Sequence, residues 1–209
     1  MSGRIQRYFV TGTDTDVGKT IISALLVEAL GADYWKPVQS GTADGTDTQR
    51  VAALISNSKS KLHPERYAFK EPVSPHYAAE LESAYIDMAN IRPPKTDNHL
   101  IVEGAGGLMV PLNNENLILD LIQHLALEVI VVSKNYLGSI NHTLSTLSLL
   151  KNASIPIKGI IFNGPENIVS QDYITAYADV PCLAVIPEFT LTKAEVLKKA
   201  SIVRKALDF

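Results

Sequence analysis

Short runs of Val, Ile, Leu and aromatic residues alternate along the chain with longer stretches whose apolar positions recur every three to four residues. The first pattern predicts strands and the second helices. "RYFVTG" (Arg7–Gly12) predicts a strand, and "KTIISALLVEAL" (Lys19–Leu30) an apolar helix closed by Gly31. "DYWKPV" predicts a second strand, "DTQRVAALIS" a helix, "HLIVEG" a strand and "LILDLIQHLAL" a helix. Strand "EVIVVS", helix "INHTLSTLSLLKN", strand "IKGIIFN", helix "ENIVSQDYITAYA" and strand "CLAVIP" follow, with a final helix from about Thr192. Near-continuous apolar strands between helices predict an α/β fold, a mostly parallel sheet with helices on both faces. Residues 59–98 break the rhythm with "HPERYAFKEPVSPHYAAE" and "RPPKTDN". They are expected to form a functional excursion with one short helix, and the chain, 1–209, a single domain.

Composition narrows the functions open to such a fold. Hydrophobic content of 46% and charged content of 20% are those of a globular domain, and a net charge of -3 argues against nucleic acid as the main ligand. Cys182 is the only cysteine, which excludes an intramolecular disulfide and favours a reducing, cytoplasmic setting. Its apolar strand predicts a core position. No apolar run nears the about 18 residues of a membrane span, and no charged-then-apolar leader opens the chain. His63, His76, His99, His124 and His142 lack ligand spacing, so no zinc site is expected, and His124 is expected on a helix face.

In a parallel α/β sheet, ligands gather beyond the carboxyl ends of the strands. There stands "GTDTDVGKT", ending in the Gly-Lys-Thr of a phosphate loop. Backbone N–H groups at the start of the next helix, with Lys19, favour phosphates, and the Thr20 hydroxyl suits Mg²⁺. Gly12 and Gly18 are separated by five residues where the strict pattern has four, and Asp14 and Asp16 add negative charge. The acids imply that the loop also serves something cationic.

Other strand ends carry further chemistry. "IVEGAGG" ends a strand in Glu103, a carboxylate for Mg²⁺ or its waters, before glycines that allow close backbone approach. "WKPVQSG" places Lys36 at a strand end, as surface charge or as a group stabilising a transferred phosphoryl. Asp47 sits at a helix start, either as its N-cap or as a second metal carboxylate. "LGSINHT" opens a helix whose N–H groups suit a carboxylate, although plain turn chemistry explains it equally well. The C-terminal helix is amphipathic, with Leu191, Leu197, Ile202 and Leu207 against five basic residues. It is expected to dock on the sheet, with an anionic membrane as the lesser reading.

Together, "GTDTDVGKT", "KPVQSG", "EPVSPH", "VEGAGG" and "LGSINH" resemble the dethiobiotin synthetase family, in the family's order from Thr11 to about Phe189. The resemblance implies a P-loop NTPase-like three-layer α/β/α fold and a homodimer with its substrate site at the interface. It implies a reaction that joins CO₂ to 7,8-diaminopelargonate with ATP and Mg²⁺, giving dethiobiotin, ADP and phosphate. It puts Lys19 and Lys36 in catalysis, and Thr20, Asp47 and Glu103 at the metal. The nucleotide is expected on Asp16, Val17, Gly18, Lys19, Thr20 and Ile21, on Asp47, and on Glu103, Gly104, Ala105 and Gly106. The base side falls to Asn163, Gly164, Pro187, Glu188 and Phe189. Thr11, Asp16 and Ser40 fall on the substrate, and Leu137, Gly138, Ser139, Ile140 and Asn141 on its carboxylate, across the dimer. Asp16 stands where the family often has glutamate, and Ser139 where some members have cysteine.

Two rival readings share the loop. Partitioning and membrane-positioning ATPases use a similar sheet, but their loop carries a lysine where this chain has Asp14. A related P-loop ligase would hydrolyse ATP but take another amine.

Overall fold

The computed structural model describes residues 5–207, so the outermost parts of the expected domain, 1–4 and 208–209, lie outside the described residues. β1 (Arg7–Gly12) passes through a loop into α1 (Lys19–Leu30), followed by β2 (Asp33–Trp35), β3 (Val38–Ser40) and α2 (Asp47–Leu54). Residues 59–98 hold β4 (Leu62–His63), β5 (Tyr67–Phe69), α3 (Pro75–Leu81) and a 3₁₀ turn at Met88–Asn90. Then come β6 (Leu100–Glu103), α4 (Ile118–Leu125), β7 (Glu128–Ser133), α5 (Ser139–Asn152), β8 (Ile157–Asn163), α6 (Ile168–Ala178), β9 (Cys182–Ile186) and α7 (Lys193–Ala206).

Seven strands form one sheet in the order β4-β2-β6-β1-β7-β8-β9, with parallel neighbours throughout. Strand side chains alternate between the two faces. Tyr8, Val10, Tyr34, Ile101, Ile130 and Val132 pack into one buried layer with α1, α2 and α7. Phe9, Trp35, Val102, Val129 and Val131 pack into the other with α4, α5 and α6. Each fully buried large side chain contributes about 1.5–3 kcal/mol, so both faces are committed to helices and a three-layer α/β/α fold results.

Several expectations are corrected. "DYWKPV" is not one strand. Pro37 has no N–H to give the ladder, and its carbonyl accepts from Arg66 and Tyr67 instead, at 2.9 and 3.0 Å. The chain therefore leaves the main sheet after Trp35 and re-forms as β3 in a separate parallel pair with β5. The excursion thus holds two short strands besides its helix. Cys182 is exposed rather than in the core, because it opens β9 at the edge of the sheet. α7 does dock, but through Val196, Ala200, Val203 and Leu207, spaced as a helical stripe against α1. Leu191, Leu197 and Ile202 do not share that stripe and stay exposed.

The start of β2 is anchored by Asp33. Its carboxylate accepts from Lys61 N–H, Thr96 Oγ1 and Asn98 Nδ2 at 2.7–3.0 Å, and lies 3.0 Å from His63 Nε2. Burial alone would raise its pKa, but these hydrogen bonds outweigh it and hold the carboxyl below the ordinary range. The strand so anchored carries Tyr34 and then Lys36 towards the carboxyl edge of the sheet.

Candidate active site

The phosphate loop folds tightly because of what its glycines lack. A Cβ on Gly12 would lie 2.6 Å from Val17 Cγ2 and 2.9 Å from the Asp14 carbonyl. Gly18 has φ +94°, and a Cβ there would fall 2.1 Å from Asn163 Nδ2. Asn163, at the end of β8, donates that amide to the Val17 carbonyl at 2.9 Å and so clamps the loop. Lys19 opens α1 and curls back, its ammonium donating to the Asp14 carbonyl at 2.8 Å. Asp14, Thr15 and Asp16 stand exposed at the rim, and Asp16 has a left-handed backbone (φ +57°).

Burial, and next the charge of Lys36, push the Lys19 pKa down to about 8, against partial support from Glu103, Asp47 and Asp14. Raising pH through that value removes the Lys19 charge from the free protein. Nucleotide phosphates favour the charged form, so affinity for MgADP should be level below about pH 7 and fall several-fold by about pH 9. Calorimetric titrations across that range check this. An affinity that does not weaken would take Lys19 off the phosphates.

The second part of the site is a buried ionic cluster. β2 and β6 pair with Trp35 level with Val102, so the next residues, Lys36 and Glu103, stand side by side. Lys36 Nζ lies 3.0 Å from Glu103 Oε1 and 2.5 Å from Asp47 Oδ2, and donates to the Gly104 carbonyl at 3.3 Å. The Thr20 hydroxyl donates to Glu103 Oε1 at 2.8 Å, and the Tyr34 hydroxyl to Glu103 Oε2 at 2.9 Å. Lys36 is 4% exposed and Glu103 1%, so these charges depend on one another for solvation. Burial would lower the Lys36 pKa, but the Glu103 and Asp47 charges outweigh it and raise it. Burial would likewise raise the Asp47 pKa, but Lys36 outweighs it, with the Thr20 hydroxyl and Arg50 adding, and the net direction is down. Tyr34 is held far above the ordinary phenol range, by burial first and then by the Glu103 charge.

The cap of α2 removes the N-cap reading of Asp47. Thr46 is the N-cap and forms a capping box with Gln49, so Asp47 is the first helical residue and its carboxylate is available to Lys36. Its N–H donates to Gln39 Oε1 at 3.0 Å.

A cavity of about 1020 Å³ opens onto this cluster. The loop and the start of α1 (Asp16, Gly18, Lys19, Thr20 and Ile21) form one side, and Ala105 and Gly106 another. Ser40 faces it with a buried Oγ that has no hydrogen-bond partner. The excursion supplies a wall from Lys70 and residues 72–75, which gives residues 59–98 their place in the site.

Other expected residues lie elsewhere. Thr11 is fully buried, with Oγ1 unpartnered, and does not line the cavity. Pro187 and Glu188 are exposed on the loop after β9, and Phe189 packs partly into the α1 layer. Residues 137–141 sit at the start of α5, with Leu137 fully exposed, and contribute nothing to the cavity wall of this chain. Sequence reasoning missed Tyr34 and Gln39. Tyr34 was findable, since it lies two residues before Lys36 and so on the same strand face. Gln39 had no such signal.

The donors suit Mg²⁺. Thr20, Asp47 and Glu103 offer hard oxygen ligands, the two carboxylates gathered on the Lys36 ammonium and the Thr20 hydroxyl bonded to Glu103. Among the described residues no three His, Cys, Asp or Glu group together to hold a metal unaided. An ion there would take its remaining ligands from nucleotide phosphates and water, as Mg²⁺ commonly does.

Residues 6–196 match a family model described as an AAA domain. The chain is 48% identical over 194 residues to the ATP-dependent dethiobiotin synthetase BioD of Cytophaga hutchinsonii, covering 92% of this chain and 94% of that one. It is 46% identical over 178 residues to the enzyme of the same name from Paramagnetospirillum magneticum, covering 85% and 86%. Among solved structures, a plasmid partition protein from Borrelia burgdorferi bound to AMPPNP has a TM-score of 0.61 at 10% identity, covering 98% of each chain. The cell division ATPase MinD of Pyrococcus furiosus has a TM-score of 0.60 at 17% identity, covering 98% of this chain and 99% of that one. At such identities the structural likeness speaks for the P-loop fold alone.

Proposed function

The chain belongs to the dethiobiotin synthetase family, and on that premise we propose that the loop, Lys36 and the two carboxylates work as one phosphoryl-transfer and ring-closing centre. The protein is an ATP-dependent ligase that forms C–N bonds in making dethiobiotin, a step of biotin biosynthesis. The observation that carries the mechanism is the buried cluster of Lys36, Glu103, Asp47 and Thr20 at the mouth of the phosphate loop.

The substrates are 7,8-diaminopelargonate, CO₂ and ATP. Lys19 and the N–H groups of residues 16–21 hold the phosphates, and the Asn163 amide oxygen, not used in clamping Val17, faces the base with Gly164. Pro187, Glu188 and Phe189 complete the base side. Ser40 takes the diamine end, and Asp16 holds a protonated amine at the rim. Thr11 backs the loop and acts on substrate through it.

CO₂ adds to one amine as a carbamate, with loss of a proton. A carbamate oxygen then attacks the γ-phosphorus and ADP leaves, giving a carbamic–phosphoric anhydride. The second amine attacks that carbonyl, closes the urea ring and expels phosphate. Lys36 and Lys19 stabilise charge as it passes between oxygens. Mg²⁺, held by Thr20, Asp47 and Glu103, would supply further charge neutralisation on the phosphates. Ring closure is intramolecular, so holding the chain of the diamine against the excursion wall contributes much of the rate.

The working unit is a homodimer in the cytoplasm. Leu137, Gly138, Ser139, Ile140 and Asn141 lie off the cavity of their own chain, and Tyr136, Leu137, Ile168, Val169, Tyr173 and Tyr177 are exposed there. Asn135 Nδ2 donates to the Pro165 carbonyl at 2.8 Å, joining that loop to the approach to α6. A second copy covering this apolar surface would bring residues 137–141 to the substrate carboxylate. Sedimentation at twice the chain mass is expected, with loss of the dimer in Leu137→Asp. A monomeric wild type at working concentration would remove the shared site.

The decisive assay uses 7,8-diaminopelargonate, ATP, Mg²⁺ and ¹³C-bicarbonate, read by mass spectrometry. Labelled dethiobiotin and ADP in equal amounts are expected. ADP without labelled product would point to another amine.

A further inference from the structure

Resting on the ligase reading above, we propose that Tyr34 is a positioning residue that sets the Glu103 carboxylate for its cation. Tyr34 is 0% exposed, in the apolar layer beneath α1, and its hydroxyl is the only polar atom of its side chain. That hydroxyl donates to Glu103 Oε2 at 2.9 Å. The other oxygen, Oε1, takes both Thr20 Oγ1 and Lys36 Nζ, at 2.8 and 3.0 Å. The two oxygens are thus divided. Oε2 is tied back into the protein, while Oε1 meets the groups that bear on phosphate chemistry.

Glu103 stands at the end of β6, before Gly104 and Gly106, and at 1% exposure its Oε2 needs a protein donor to hold it. The phenol supplies that hold. It comes from the adjacent strand β2, two residues before Lys36, so one short stretch of chain provides both the cation beside Glu103 and the donor behind it. Removing the hydroxyl would leave Oε2 buried without its donor and free the carboxylate to turn. Partners that orient a ligand in this way commonly account for 10- to 100-fold in metal affinity.

Tyr34→Phe keeps the ring and removes one oxygen. Binding of Mn²⁺ in the presence of ADP, read from the electron paramagnetic resonance of the free ion, measures the site without turnover. Tyr34→Phe is expected to weaken Mn²⁺ by about 10-fold and leave metal-free ADP affinity unchanged. The Mg²⁺ needed for half-maximal activity should rise by a similar factor, with the KM for the diamine unchanged. A second measurement separates positioning from packing. In a Glu103→Gln background, Tyr34→Phe should add nothing further to the loss of Mn²⁺. Equal Mn²⁺ affinity in wild type and Tyr34→Phe, or full additivity with Glu103→Gln, overturns the role of Tyr34 alone. A wild type that binds no Mn²⁺ with ADP overturns the metal site itself, and Tyr34 with it.

Discussion

Lys36→Ala is expected to form dethiobiotin about 10²-fold more slowly than wild type or worse, and to melt at a lower temperature. The two effects share one origin. Lys36 Nζ is 2.5 Å from Asp47 Oδ2 and 3.0 Å from Glu103 Oε1, with all three side chains largely shielded from water. In the resting protein the ammonium is the counter-charge for both carboxylates, and removing it leaves buried negative charge, a loss on the order of 3–5 kcal/mol in comparable pairs. During phosphoryl transfer the same ammonium is the charge nearest to the carboxylates that would hold Mg²⁺. Turnover should therefore be measured well below the melting temperature of the variant, with circular dichroism showing that the chain is folded. MgADP should restore part of the lost stability, since binding favours the folded state by mass action. A folded variant with near-normal turnover would reduce Lys36 to a structural counter-ion.

Glu103→Gln is expected to lower turnover by about 10²-fold at limiting Mg²⁺ and to recover in part as Mg²⁺ rises. Three donors converge on Glu103: Thr20 Oγ1, Tyr34 Oη and Lys36 Nζ. A glutamine keeps one acceptor oxygen and offers an NH₂ in place of the other, so one of the three donors is displaced or a hydroxyl must turn round to accept. Lys36 is left with Asp47 as its carboxylate partner beside the Gly104 carbonyl, and the site loses one negative charge towards a divalent ion. Initial rates of ADP and dethiobiotin formation across a Mg²⁺ series measure both consequences. A Mg²⁺ dependence identical to wild type would place the ion away from Glu103 and return that carboxylate to the role of partner for Lys36.

The partitioning-ATPase reading has fold-level support only. Its structural neighbours share the sheet at 10–17% identity, whereas the dethiobiotin synthetases share 41–48% of residues over most of the chain. Asp14, where that reading expects a lysine, is exposed at the loop rim, and its side chain accepts from the neighbouring Thr15 N–H at 2.7 Å.

What could be read from residue order alone was whatever depends on neighbours in the chain. The strands of the main sheet longer than three residues, and the helices from α1 to α7 other than the detail of their ends, follow from local periodicity. Gly12, Gly18, Lys19 and Thr20 announce the phosphate loop, because backbone turn, helix start and cation must lie within a few residues of each other. Lys36 and Glu103 were legible as strand-end charges, although neither disclosed its partner. Tertiary structure alone decided the rest. The β2–β6 register brought residues 67 apart in sequence to 3.0 Å. The Thr46 cap turned Asp47 from a helix cap into a carboxylate for Lys36. Pro37 moved β3 out of the main sheet, where it pairs with β5 from the excursion, and residues 72–75 became a wall of the site. The edge position of β9 left Cys182 in water. These outcomes rest on pairings between distant segments, and a buried charge finds its counter-charge only once those segments have packed.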